Sequence, residues 1–190
     1  PLMLLDEPLV NLDYKLREEL REELTQLFAA GQSTVVYATT EPGEALLLGG
    51  YTAVLDEGQL LQYGPTAEVF HSPNSLRVAR AFSDPPMNLI AASAAPSGVR
   101  LQGGVELAVH LPQGVATAAG LTAGVRASAL RVVARPGDIS VGGVVELAEI
   151  SGSDTFVHAA TPWGDLVAQL TGVHYFELGT PITLHLDPAQ

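Results

Sequence analysis

Two adjacent carboxylates, Asp6 and Glu7, end the apolar run at residues 2–5 in the opening string PLMLLDEPLVNLD. An acid at the C-terminal end of a buried-type strand stands where α/β sheets bind ligands. A carboxylate oxygen there suits Mg2+, a hard cation that takes oxygen ligands. A second acid beside it is placed to hold an attacking water. The same acids before a proline are also a common way to leave a strand, and spacing alone leaves both readings open. Phosphate chemistry needs a cradle as well. No G-x-x-x-x-G-K-[ST] occurs in the 190 residues, and Gly142-Gly143 has no lysine after it. These residues are therefore expected to hydrolyse nothing by themselves.

The elements that would position the acids are readable from periodicity. LREELREELTQLFAAG sets Leu16, Leu20, Leu24, Leu27 and Phe28 at steps of three and four, an amphipathic helix with Asp13 as its N-cap and Gly31 as its stop. STVVYATT reads as a second buried strand, and EPGEALLLGG as a short helix with Pro42 in its first turn. Strand, helix, strand, helix predicts a parallel α/β sheet. YTAVLDEGQLLQYG predicts a hairpin at the edge of that sheet, turning at Asp56-Glu57-Gly58. PTAEVFHSP and NSLRVARAF read as two short helices, the second ending before Pro85-Pro86. The domain boundary is placed there, giving 1–84 and 85–190.

Beyond the boundary, GVRLQGGVELAVHLP, VRASALRVV, VGGVVELAEISGSDTFVHAAT, GDLVAQLTG and TPITLHLD alternate between glycine- and proline-rich breaks. Short alternating segments without a helical stripe predict a small all-β barrel or sandwich. The Ala/Ser stretch at 91–97 reads as a loop. The fold class is thus α/β followed by all-β.

With 9 Lys+Arg against 21 Asp+Glu, the net charge is −12, which removes the basic footprint of a nucleic-acid or anionic-membrane surface. Cysteine is absent, so disulfide and thiol chemistry are excluded. No apolar run is long enough to cross a membrane as a helix, and the start reads as the tail of a longer protein rather than as a natural beginning.

LMLLDEPLVNLD resembles the Walker B and D-loop segment of ATP-binding-cassette (ABC) transporter ATPases. The likeness runs on through TVVYATTEPGEAL and AVLDEGQLLQYGPTAEVFHSPNSLRVARAFSDPPMNLI to GVR. The order is similar to sugar, polyamine and molybdate importers whose ATPase carries a C-terminal OB-like barrel, the TOBE domain. By that resemblance Asp6 is the residue that holds Mg2+ through water, and Glu7 the one that polarises the hydrolytic water. Asn11, Leu12 and Asp13 are the D-loop that faces a second ATPase subunit across the nucleotide. Val10 departs from the small polar residue usual in that loop. The string Thr39-Thr40-Glu41 departs further, because the family has Thr-His-Asp, its histidine contacting the γ-phosphate. A hydroxyl at Thr40 can donate a hydrogen bond but carries no positive charge. The site is then slow, or paired with a normal site in a heterodimer, or served well enough by Thr40.

The resemblance further implies ATP and Mg2+ in an intact parent and none in this fragment. It implies permease subunits and a second ATPase subunit as partners, a cytoplasmic location peripheral to the membrane, and a carbohydrate as solute. The Walker A and LSGGQ segments are expected upstream. In the β domain, Arg126 matches an arginine of a family Gly-x-Arg-Pro-Glu string that is broken here by Ala127 and Ser128. It reads as paired to a nearby acid or as an anion contact. His71, His110, His158, His174 and His185 lack the close spacing of metal ligands, and Trp163 reads as a barrel cap, a turn residue or a ligand-stacking ring. A different class of reading takes the barrel as a free-standing module for a small oxyanion or sugar. A nucleic-acid-binding OB fold is disfavoured by the scarcity of basic and aromatic residues after residue 85.

Overall fold

The computed structural model describes residues 2–31, 33–109, 111 and 120–188. His110 lies outside the described residues. The chain divides into two compact units, Pro1–Phe82 and Ser83–Gln190.

The first unit opens with β1 (Leu2–Asp6), α1 (Tyr14–Ala29) and β2 (Thr34–Ala38), and β1 and β2 pair in parallel from Leu2–Thr34 to Asp6–Ala38. Asp13 caps α1, accepting the Leu16 amide at 3.0 Å, and Gly31 follows the helix at φ +65°. The predicted stripe of α1 is incompletely covered: Leu20, Leu24 and Phe28 are half-buried, Leu16 and Leu27 are exposed, and no residue of this helix is fully buried. α2 (Pro42–Leu48) follows, with Pro42 in its first turn and Gly49 at its end.

β3 (Tyr51–Asp56) and β4 (Gln59–Pro65) form the predicted hairpin, with Glu57 and Gly58 both at positive φ in the turn. They make a two-stranded sheet of their own rather than an edge of the β1–β2 sheet. α3 (Thr66–His71) and α4 (Leu76–Ala81) close over the hairpin, and Val54, Val69, Val78 and Phe82 form the core there.

The second unit is all β. β5 (Asn88–Ala95), β6 (Gly98–Leu101), β7 (Glu106–Leu107) and β8 (Leu121–Val125) form one antiparallel sheet in the order β7-β6-β5-β8. β9 (Ile139–Ser151), β10 (Asp154–Thr161), β11 (Gly164–Thr171) and β12 (Pro181–Leu186) form the other, in the order β11-β10-β9-β12. One continuous core lies between them, including Ile90, Val157, Trp163, Leu166 and Leu184.

Two predicted segments are corrected. The Ala/Ser stretch belongs largely to β5, a central strand flanked by β6 and β8. Pairing on both sides holds it extended although its small side chains have low strand propensity. VRASALRVV is not one strand: Val125 ends β8, opposite Asn88, a 3-10 turn follows at Ala127–Ala129, and Arg131 pairs beyond it by exchanging backbone hydrogen bonds with His185.

Candidate functional site

Parallel pairing brings the C-terminal ends of β1 and β2 side by side, so the loops after Asp6 and after Ala38 leave the sheet at the same edge. Glu7 extends the pairing by donating its amide to the Ala38 carbonyl at 2.9 Å. It then adopts φ +47°, a left-handed conformation that a non-glycine residue holds only when its surroundings fix it. A turn does so here: Pro8 follows, and the Val10 amide donates to the Glu7 carbonyl at 3.2 Å. Leu9 is buried beneath the turn, and Asn11 is left-handed as well, at φ +63°.

The result is a contact between the two loops. Thr40 donates its hydroxyl to Glu7 Oε2 at 3.3 Å. Asp6 is exposed at the end of β1 beside this pair. Asp13 stands apart in function, because its carboxylate already serves the α1 amides. Asn11 is exposed on the turn between them. The structure therefore joins Glu7 and Thr40 directly, sets Asp6 next to Glu7 in the chain, and gives Asp13 a capping role.

Among the described residues no three acids or histidines converge closely enough to hold a metal ion. Asp6 is the right donor type for Mg2+ but supplies one oxygen side chain, where the ion takes about six ligands, so the other ligands come from elsewhere.

A second, buried cluster lies behind Thr40. Glu44, on the first turn of α2, is 4% exposed, and its Oε2 accepts from the Thr39 hydroxyl at 2.6 Å and the Tyr37 hydroxyl at 3.0 Å. Burial, and then the hydrogen bond to Glu44, push the Tyr37 phenol above its usual range, so it stays a donor. Glu41, next to Thr40, receives Arg17 at 3.3 Å and Arg21 at 3.9 Å from α1. Arg21 also pairs with Glu18 along the helix at 2.7 Å, so it bridges α1 to Glu41. Glu44 was missed altogether, although Tyr37 on β2 and Thr39, two residues further and just past the strand, point their hydroxyls to one side.

In the second unit Arg126 donates to the Ser83 hydroxyl at 3.1 Å, and burial lowers its pKa. His158 is half-buried on β10, and His185 hydrogen-bonds the Ser140 hydroxyl at 2.7 Å on β12. Trp163 lies in the β10–β11 turn, packed into the core with its indole against Gly103. That position leaves the ring no open face on which to stack a ligand.

A TOBE-domain family model matches residues 123–190, most of the β unit. The chain is 33% identical to the sn-glycerol-3-phosphate import ATP-binding protein UgpC of Pectobacterium atrosepticum, over 98% of this chain and 53% of that protein. It is 37% identical to the xylose/arabinose import ATP-binding protein XacK of Haloferax volcanii, over 88% of this chain and 44% of that protein. The chain belongs to the ABC-importer ATP-binding proteins that carry a TOBE domain, and it corresponds to a C-terminal part of them. It spans about half the length of the curated relatives it matches. Among the described residues no helix is long and apolar enough to cross a membrane.

Proposed function

We propose that this chain works as the C-terminal portion of the ATP-hydrolysing subunit of an importer for a carbohydrate-type solute. Residues 1–84 serve the nucleotide site and residues 85–190 serve dimerisation or regulation. The observation that supports the reading is the Thr40–Glu7 hydrogen bond at the C-terminal edge of a parallel strand pair, beside Asp6. When bound, Mg2+ would neutralise phosphate charge and ATP would supply the phosphoryl group transferred to water. Asp6 is the oxygen ligand offered to the cation. Glu7 holds and polarises the water, while Thr40 fixes the Glu7 carboxylate by donating to it. Asn11 and the turn around it face a second ATP-binding subunit. Permease subunits bind elsewhere on the assembly, at the cytoplasmic side of the membrane.

The test is Glu7→Gln in the full-length subunit that contains this chain. ATP binding should persist while turnover falls by about 10²-fold or more, the usual contribution of a positioned base. Turnover unchanged by Glu7→Gln would refute the assignment.

A further inference from the structure

We propose that Glu44 is a positioning residue for the Thr40–Glu7 pair, an inference that rests on reading that pair as the water-handling group. A buried carboxylate is costly unless its oxygens are hydrogen-bonded. Here a single oxygen, Oε2, gathers the hydroxyls of Tyr37, on β2, and of Thr39, just past its end. The Thr39 hydroxyl is thereby used twice: it donates to Glu44 at 2.6 Å and accepts the Glu41 amide at 3.0 Å. The second of these bonds spans Thr40, tying the residues on either side of it together. The Glu44 amide also donates to the Glu41 carbonyl at 3.1 Å, closing the loop onto α2. From the other side, Arg17 and Arg21 hold the Glu41 carboxylate against α1.

The loop Thr39-Thr40-Glu41 is thus clamped between two helices, with Thr40 left as the one member whose hydroxyl reaches Glu7. At 3.3 Å that bond is already long, so a small shift of the loop breaks it. Displacement of a reacting group by about 1 Å costs on the order of 10²-fold in rate. Glu44 is buried, and its side chain is bonded to Tyr37 and Thr39 rather than to Thr40 or Glu7. It acts through Thr39.

The experiment compares Glu44→Ala, Glu44→Gln, Thr39→Val and the double variant Glu44→Ala/Thr39→Val in the full-length ATPase. Glu19→Gln on the exposed face of α1 is the control. Glu44→Ala should lower kcat at least tenfold with KM for ATP within twofold. Glu44→Gln should restore most of the rate, because an amide oxygen can replace Oε2 as the double acceptor. The double variant should be no worse than the worse single variant, since both break one chain of contacts.

Hydrogen exchange of the peptide spanning 37–44 is measured alongside, with about tenfold faster exchange expected for Glu44→Ala and wild-type exchange for Glu44→Gln. An active wild-type enzyme with an equally active Glu44→Ala variant overturns the inference and leaves the proposed function standing. A wild-type enzyme that hydrolyses no ATP overturns the proposed function instead. In that case the exchange data still decide whether Glu44 holds the loop, and unchanged exchange in Glu44→Ala refutes it.

Discussion

Asn88 should be the most sensitive polar position of the β unit. It is 5% exposed, and its side chain makes both bonds that a neighbouring strand would make: Nδ2 donates to the Val167 carbonyl at 2.9 Å, and Oδ1 accepts the Val167 amide at 2.7 Å. The first residue of β5 is thereby sewn to the middle of β11, across 79 residues of sequence. Asn88→Ala leaves an amide and a carbonyl without partners. Each such orphan costs about 1–3 kcal/mol when buried. Val167 is half-buried, so water recovers part of the loss, and a net cost of about 3 kcal/mol is expected. At about 4 °C per kcal/mol for a unit of this size, the melting temperature should fall by roughly 12 °C. Thermal unfolding followed by the fluorescence of Trp163, the single tryptophan, reads this unit alone. Asn88→Asp sharpens the test. One carboxylate oxygen still accepts the Val167 amide, but the other faces the Val167 carbonyl, so the folded-state pKa of the new acid is raised above its unfolded value. Its penalty is therefore present at neutral pH and disappears as pH falls towards about 4, where the protonated group donates again. Asn88→Ala within about 0.5 kcal/mol of wild type, or an Asn88→Asp variant as stable as wild type at pH 7, would refute the reasoning.

Arg131 hydrogen-bonds the well-covered Asp138 and, as the largest cause, holds its carboxyl below the usual range. A depressed folded pKa gives stability that is present above the unfolded value of about 4 and is lost as pH falls below it. Asp138→Asn should therefore flatten the acid limb of a urea-midpoint-against-pH curve. Gly98 lies at φ +144°, and a Cβ there would stand 2.4 Å from the Leu107 carbonyl oxygen and 2.5 Å from the Val109 nitrogen. Gly98→Ala should cost more than ~2 kcal/mol by urea titration, whereas Gly142→Ala, which meets nothing within 4 Å, should be near neutral. In the full-length ATPase, Thr40→His should raise turnover roughly tenfold or more by adding a group able to carry positive charge. An unchanged rate would show that Thr40 already suffices.

The strand–helix–strand order, the Asp13 cap and the hairpin turn were legible because each rests on local chemistry: apolar spacing, a capping oxygen, a left-handed glycine. The parallel strands were misjudged in one respect. A run apolar on both faces predicts cover on both, yet Leu4 is 69% exposed while Met3 and Leu5 are half-buried. β5 was hidden because its Ala and Ser side chains carry no strand signal, and only pairing with β6 and β8 makes it one. Glu44 was hidden for a different reason. An acid in the first turn of a short helix is ordinarily a solvated complement to the helix dipole. What buries it here is the meeting of α2 with the hydroxyls of Tyr37 and Thr39, a tertiary event that no local pattern prints.

The two units should also differ in what holds them, and this bears on how the site works. Among the described residues of the first unit the buried apolar side chains are Val54, Val69, Val78, Ala79 and Phe82, all from the hairpin onward, and Leu9 beneath the Glu7 turn; β1, α1 and β2 contribute none. Among its described residues the β unit has a core of sixteen buried side chains. Area-proportional burial then makes the first unit the weaker, and within it the segment carrying Asp6, Glu7 and Thr40 the weakest. All α-helices among the described residues lie between Tyr14 and Ala81, so ellipticity at 222 nm reports the first unit and Trp163 fluorescence the second. In urea the ellipticity should fall at clearly lower concentration than the fluorescence changes, and coincident transitions would refute the ordering. A site built on so little apolar packing cannot owe its alignment to a rigid core. The hydrogen bonds through Thr39, Glu44 and Glu41 must supply it, which is why removing the accepting oxygen at Glu44, as Glu44→Ala does, should be felt at Glu7.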